Sequence, residues 1–171
     1  MSESHDSMTY QEWVKINDKK VDEILARLNL KTPEEIAKYF TFESMQKNEP
    51  DHCPLYKMNR KCHDTPDLNC YFCACPHFII NETPKTSGKV TIGSTCAINS
   101  RFKGEFFENP DENNVVKIHC DCTKCFVPHK TSYVTKMLNK DLLEMNNIKA
   151  CSSLIDYVRF KQNHILNNLY R

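Results

Sequence analysis

The side chains best able to do chemistry in this chain are cysteines and histidines, and they are crowded together. The 26 residues from His52 to His77 hold five cysteines and three histidines: His52, Cys53, Cys62, His63, Cys70, Cys73, Cys75 and His77. A second group follows as His119, Cys120, Cys122, Cys125 and His129, so nine of the ten cysteines lie between Cys53 and Cys125. Cys70-Tyr-Phe-Cys73 and Cys122-Thr-Lys-Cys125 carry the two-residue spacing that lets one tight turn present two thiolates to a single ion. Mixed sets of thiolate and imidazole favour zinc.

Disulfides are the other use for so many thiols. The opening residues, Met1-Ser-Glu-Ser-His-Asp-Ser-Met8, are polar and acidic. They lack the basic and then apolar regions of a secretory signal. No apolar run approaches the ~20 residues of a membrane span. The expected compartment is therefore the reducing cytoplasm, where clustered thiols bind metal rather than pair. No membrane partner is expected.

Cys53, Cys62, Cys70, Cys73, Cys75, Cys122, Cys125 and His129 make eight ligands, enough for two tetrahedral shells and thus about two zinc ions. Spacing alone does not divide them between sites. Cys73 and Cys75 are two apart and point oppositely in an extended segment, unless a turn intervenes. Three further candidates stand beside the eight. His63 follows a ligand and is read as a ligand, a group orienting one, or a surface residue. Cys96 is isolated and reads as a buried thiol, and Cys120 as a ligand or a buried thiol. His52, His77 and His119 are candidates only by neighbourhood. Cys151 reads as a plain helix-start cysteine.

The elements that must position these residues are helical at both ends. Thr9-Tyr-Gln-Glu12 is a capping box, and Trp13, Ile16, Val21, Ile24, Leu25 and Leu28 follow at helical spacing, which predicts a helix from about 10 to 29. Thr32-Pro-Glu-Glu35 opens a second, fading near Ser44 to Lys47. From Asp51 to Asn81, prolines and asparagines leave little room for regular structure, apart from a short strand or core contact at Phe78-Ile79-Ile80. Lys89 to Ile92, Phe102 to Phe107 and Val115 to Ile118 read as brief strands, the last running into the second cysteine group. A helix is predicted over 129–146 and a final one from Ser152 or Ser153. The chain is therefore expected to be α+β, a loop-rich zinc-knuckle or ribbon-like module with short strands between helices. It divides into an N-terminal helical arm (1–48), the cysteine-rich module (49–131) and a C-terminal helical segment (132–171). The module is not expected to bury enough apolar surface to fold without metal.

Cys53, Cys62-His63, Cys70-Tyr-Phe-Cys73-Ala-Cys75-Pro76 and then Cys122-Thr-Lys-Cys125 to His129 resemble the cysteine-rich small domain family of bacteria and archaea. The resemblance covers roughly residues 52 to 130. It implies a metal site on these residues and no particular reaction. Members often carry a further cysteine soon after the Cys-Pro pair. Here Phe78-Ile79-Ile80 has none, which leaves one ligand position open to Cys96 or Cys120.

Charge and motifs limit the functions. The 23 basic and 22 acidic residues leave a net of +1, which argues against duplex nucleic acid as a partner. Three glycines and no phosphate loop or His-Glu-x-x-His leave catalysis without a focus. The leading expectation is a non-enzymatic zinc protein that acts as an interaction module, with a protein as its partner. Two alternatives are an iron–sulfur protein held by the thiolates and a zinc-knuckle nucleic-acid binder. The second would use Lys57, Arg60, Lys61, Lys117, Lys124 and Lys130 with Tyr56, Tyr71, Phe72 and Phe126.

Overall fold

Thr9 and Glu12 start the first helix as the sequence demands. The Thr9 amide donates to the Glu12 carboxylate at 2.8 Å, and the Glu12 amide donates back to the Thr9 hydroxyl at 3.3 Å. The resulting α1 runs Tyr10–Leu28. The computed structural model describes residues 9–28, 32–81, 83–84 and 86–147, with side chains described to 141. The expected helix from Ser152 or Ser153, and Cys151 itself, lie outside them. Among the described residues no helix is long and apolar enough to cross a membrane.

The second helical stretch breaks in two. α2 (Pro33–Tyr39) opens on a full capping box of Thr32 and Glu35 with Pro33 in its first turn. α3 (Phe42–Asn48) begins after Phe40 and Thr41. The break has a tertiary cause. Thr41 forms an isolated bridge with Asn69, the Phe42 amide donates to the Leu68 carbonyl at 2.8 Å, and the Cys70 amide donates to the Phe40 carbonyl at 2.7 Å. Backbone spent on this pairing cannot continue the helix.

α4 (Pro54–Lys57) is a single turn capped by Cys53. Six short strands follow: β1 (Phe78–Ile80), β2 (Thr86–Ser87), β3 (Val90–Ile92), β4 (Ser94–Cys96), β5 (Gly104–Phe107) and β6 (Val116–Asp121). α5 (Thr131–Asn147) then packs across α2. The chain is α+β, as expected.

Two small sheets share a bend. β1 and β4 pair antiparallel, with Phe78 opposite Cys96. The other sheet has the order β2-β3-β6-β5, with β3 and β6 parallel and the other pairs antiparallel. β3 and β4 are one extended run bent at Gly93, whose amide donates to Ile118 and whose carbonyl accepts from Asn81. A Cβ at Gly93 would sit 2.5 Å from the His119 ring, so only glycine lets the bend come this close.

The apolar core lies with the helices. Val21, Ile24 and Leu25 of α1, Ile36 and Ala37 of α2, then Phe40, Phe42 and Met45, pack with Tyr56, Leu68, Cys70 and Tyr71 and with Val134 and Leu138 of α5. All three spans of the chain contribute. The sheet half is built differently. Between residues 72 and 127, the buried side chains among those described are Ser94, Ser100, Cys120 and Cys125, with no aliphatic or aromatic among them. Its apolar residues are half-buried, as Phe78 and Ile118 are, or exposed, as Ile92, Ile98 and Phe107 are.

Candidate functional site

The fold gathers the thiols into two groups. The first is Cys53, Cys62, Cys70 and Cys73. Cys53 caps α4, and Tyr56 of that turn is buried beside the Cys70 thiol. The Tyr56 hydroxyl has no well-aligned hydrogen-bond partner and interacts with that sulfur. Burial pushes the Cys70 thiol up to about 12; Tyr56 opposes the shift, while Cys62 and Cys53 add to it. Cys73 is likewise pushed up to about 12, by burial first and then by Cys70, Cys62 and Cys53. Cys62 is exposed as a residue, yet protein atoms crowding its sulfur raise its thiol, and Cys53 contributes. Each of these shifts opposes ionisation, as expected where like charges would meet in a poorly solvated place.

The second group is Cys75, Cys96, Cys122 and Cys125, with Cys120 at its margin. The ladder between β1 and β4 brings Cys75, just before β1, to Cys96, the last residue of β4. β4 lies beside β6, and Cys122 and Cys125 form the turn that follows β6, closed by the Cys125 amide donating to the Cys122 carbonyl at 2.9 Å. Burial raises the Cys75 thiol, the amides of His77 and Phe78 pull it down, and Cys125 and Cys96 push it up again. The Ser100 amide donates to the Cys96 sulfur at 3.4 Å, and the Ser100 hydroxyl lies 3.2 Å from the Cys125 sulfur. Cys122 is pushed up to about 12 by burial and then by Cys120, whose sulfur is 3.8 Å away, with Cys75 and Cys125 adding. Backbone amides aimed at sulfur are the hydrogen bonds a zinc knuckle uses to hold its thiolates.

The thiols are grouped rather than closed into a shell. Among the described residues no three Cys, His, Asp or Glu side chains converge closely enough to hold an ion as they stand. The second group and Cys120 line one cavity of about 350 Å³, with Cys73 of the first group, Tyr10 and Trp13 of α1, His63 and His129.

The histidines take other places. His129 is buried in a 3-10 turn, Val127–His129, with its Nδ1 3.3 Å from the Asn69 carbonyl oxygen and its ring 4.3 Å from that of His63. Burial lowers it to about 4, His63 adds to this, and the Asn69 carbonyl opposes it. His63 bridges the two groups, its Nδ1 3.2 Å from the Cys62 sulfur and its ring bonded to the Cys122 backbone. His77 contacts the Tyr133 hydroxyl of α5. His119 stacks on Phe106, with Nε2 2.9 Å from a Glu108 carboxylate oxygen but not aligned for a hydrogen bond. His52 stacks on Tyr56.

Sequence spacing undervalued Cys96 and missed Ser100 and Tyr10. Cys96 stands alone in the chain, and only strand pairing brings it to Cys75. Tyr10, whose hydroxyl is raised by burial and by Cys75, Cys122 and Cys73, reaches the thiols from the first turn of α1. The cationic and aromatic residues considered for nucleic acid are mostly engaged within the protein. Lys57 pairs with Asp51, Lys61 with Glu43 and Lys117 with Glu108, while Tyr56 and Tyr71 are buried. No family model, no curated protein and no solved structure matches the chain, so its resemblance to the cysteine-rich small domain family rests on the motif residues alone.

Proposed function

We propose that this protein is a structural zinc protein of zinc-knuckle type, with one ion on Cys53, Cys62, Cys70 and Cys73 and a second on Cys75, Cys96, Cys122 and Cys125. Cys96 takes the place that spacing assigned to His129, because strand pairing brings its thiol to Cys75 and the Ser100 amide donates to its sulfur. The carrying observation is the centre of the sheet half. Its buried side chains, among those described, are two cysteines and two serines, and one of the serines lies hydrogen-bonded to thiols of the second group. A region without apolar burial needs another source of cohesion, and thiolate–metal bonds supply it. A cation also reverses the electrostatics, because it deprotonates thiols that burial and mutual repulsion otherwise keep neutral.

The Cys62 sulfur has the His63 ring 3.2 Å away, but in the proposed shell that thiolate is bound to the ion and not free to attack, which favours an interaction module over an enzyme. The engaged cations favour a protein partner over nucleic acid. A reducing compartment such as the cytoplasm suits nine thiols gathered in one region. Elemental analysis of purified full-length protein should find about two zinc ions per chain. A strong chelator should then expose the stretch 72–127 to protease before the helical core. Protein free of metal as purified, or verified metal loss with unchanged protease resistance, sinks the proposal.

The grouping also favours a second reading. Exchanging His129 for Cys96 makes both sets all-thiolate, and four thiolates are what an iron–sulfur cluster takes. Anaerobically purified protein that is brown and contains iron with acid-labile sulfide would establish it; colourless zinc protein excludes it.

A further inference from the structure

Five thiols stand where four ligands suffice, and the surplus one has a defined place. Cys120 is buried on β6, opposite Glu105, with its amide held by the Ser94 hydroxyl at 2.9 Å. The Cys75 and Cys96 sulfurs receive backbone N–H groups, and the Cys125 sulfur meets the Ser100 hydroxyl. The Cys120 sulfur meets instead the sulfur of Cys122, 3.8 Å away. Cys120 belongs to the strand and Cys122 follows its end, so the chain between them can bend and close the remaining gap. Both line the 350 Å³ cavity, which gives a small oxidant a route to them.

The geometry points to Cys120 and Cys122 as a redox-active dithiol, oxidised to a disulfide by hydroperoxides, with loss of Cys122 from the second metal group. The proposal rests on the proposed function, because a cation at the second group is what would hold Cys122 as a thiolate. Cys122, which a bound cation would hold as a thiolate, attacks hydrogen peroxide, breaking its O–O bond and becoming a sulfenic acid, while the hydroxide expelled takes a proton from solvent and leaves as water. The Cys120 thiol then attacks that sulfur. An S–S bond forms, the S–O bond breaks, and the thiol proton leaves with the hydroxide as a second water. The peroxide is reduced by two electrons, and the two sulfurs are oxidised by two. An ion left with three thiolates would be held more weakly and would be open to a competing chelator.

The test exposes zinc-loaded full-length protein to hydrogen peroxide, with released zinc followed by a colorimetric chelator and peptides mapped by mass spectrometry. Wild type should lose about half its zinc, one ion of two, and the peptide holding Cys120 and Cys122 should lose two hydrogens, recovered on reduction with a thiol. Cys120→Ser should carry full zinc as purified and release none under the same exposure. Three results overturn the inference: Cys120→Ser short of zinc before any oxidation, which would make Cys120 a ligand; zinc release from Cys120→Ser at the wild-type rate; or no Cys120–Cys122 link in oxidised wild type. If the untreated protein carries no zinc, the metal reading falls and this inference with it; a zinc-loaded protein that forms no Cys120–Cys122 link overturns the dithiol alone and leaves the metal reading standing.

Discussion

Asn69 ties the helical core to the cysteine-bearing loop, and replacing it should cost more than any exposed polar substitution in the chain. Its side chain is fully buried. Nδ2 donates to the Ala37 carbonyl at 2.7 Å and, more weakly, to the Thr131 hydroxyl at 3.5 Å, while Oδ1 accepts from the Tyr71 amide at 3.0 Å. Ala37 lies in the last turn of α2, where carbonyls lose their helical partners. Asn69→Ala would strand that carbonyl and the Tyr71 amide in a dry core. Each buried unsatisfied group costs about 1–3 kcal/mol, and the small cavity adds to it, so the variant should lose about 3–5 kcal/mol. That is a large share of the ~5–15 kcal/mol typical of a domain.

Urea unfolding followed by far-ultraviolet circular dichroism and by the fluorescence of Trp13 measures this directly. Asn48→Ala on α3 is the control. Its amide reaches the Ser44 hydroxyl at 3.3 Å on an exposed face, and its loss should move stability by no more than about 0.5 kcal/mol. Asn69→Asp keeps the shape and the acceptor for Tyr71 but removes the donor to Ala37. Burial would raise the new carboxyl above its unfolded value, so its penalty is greatest at neutral pH and shrinks as pH falls and the acid becomes a donor. An Asn69→Ala variant within about 1 kcal/mol of wild type would refute the reasoning, because two stranded groups cannot cost so little unless water replaces the amide.

Asp18 on α1 is half-buried and raised to about 6, by burial first and then by Asp22 one turn on. The folded state therefore holds this proton more tightly than the unfolded state, and Asp18 costs stability above pH 6 that is recovered as pH falls from about 6 towards 3.8. Asp18→Asn should raise stability at pH 8 by on the order of 1–2 kcal/mol and leave it unchanged near pH 4; an equal effect at both would rule out the linkage. Gly93→Ala places a methyl 2.5 Å from the His119 ring, which is stacked on Phe106, so it should cost about 1–3 kcal/mol alone and much less in a His119→Ala background; additive losses would mean that the ring is not the obstacle. Cys122→Ser and Cys96→Ser should each lower the zinc content by about one ion, whereas Cys151→Ser should keep both; equal loss from Cys151→Ser would place the C-terminal segment in the site.

Where local chemistry decides structure, the sequence was legible. The capping boxes at Thr9 and Thr32 start helices where their residue types require. Val116 to Asp121 forms a strand because its apolar run has a pleated partner on each side, though it extends through Cys120 and so moves that thiol from the turn to the strand. What was not legible depends on contacts distant in sequence. Nothing local at Phe40-Thr41 announces a break; Asn69, 28 residues on, makes it. Asp67-Leu-Asn-Cys70 reads as loop punctuation, although Asn69 is a fully buried hub. Cys96 looks solitary until β1 pairs with β4, and the approach of His129 Nδ1 to the Asn69 carbonyl has no local signal in the sequence.

The two halves obey different physics, which explains where the cysteines fall. In the helical half, side chains such as Leu25, Ile36, Phe40 and Leu138 are almost wholly removed from water. Each contributes about 1.5–3 kcal/mol of burial that the sheet half lacks. Strands β1 to β6 have no such interior. The strands are two to six residues long, and Phe106 and Phe107 are 48% and 61% exposed. Short strands with a solvated face on both sides are marginal alone. The first thiol group, Cys53 to Cys73, borders the apolar core and shares Cys70 with it. The second group, Cys75 to Cys125, sits where no apolar core exists. A change that empties the second group should therefore loosen the sheets and leave the helices standing. A change that empties the first should weaken a core that already has other support. On the proposed function, the second group is the one whose ion the fold of this half would depend on.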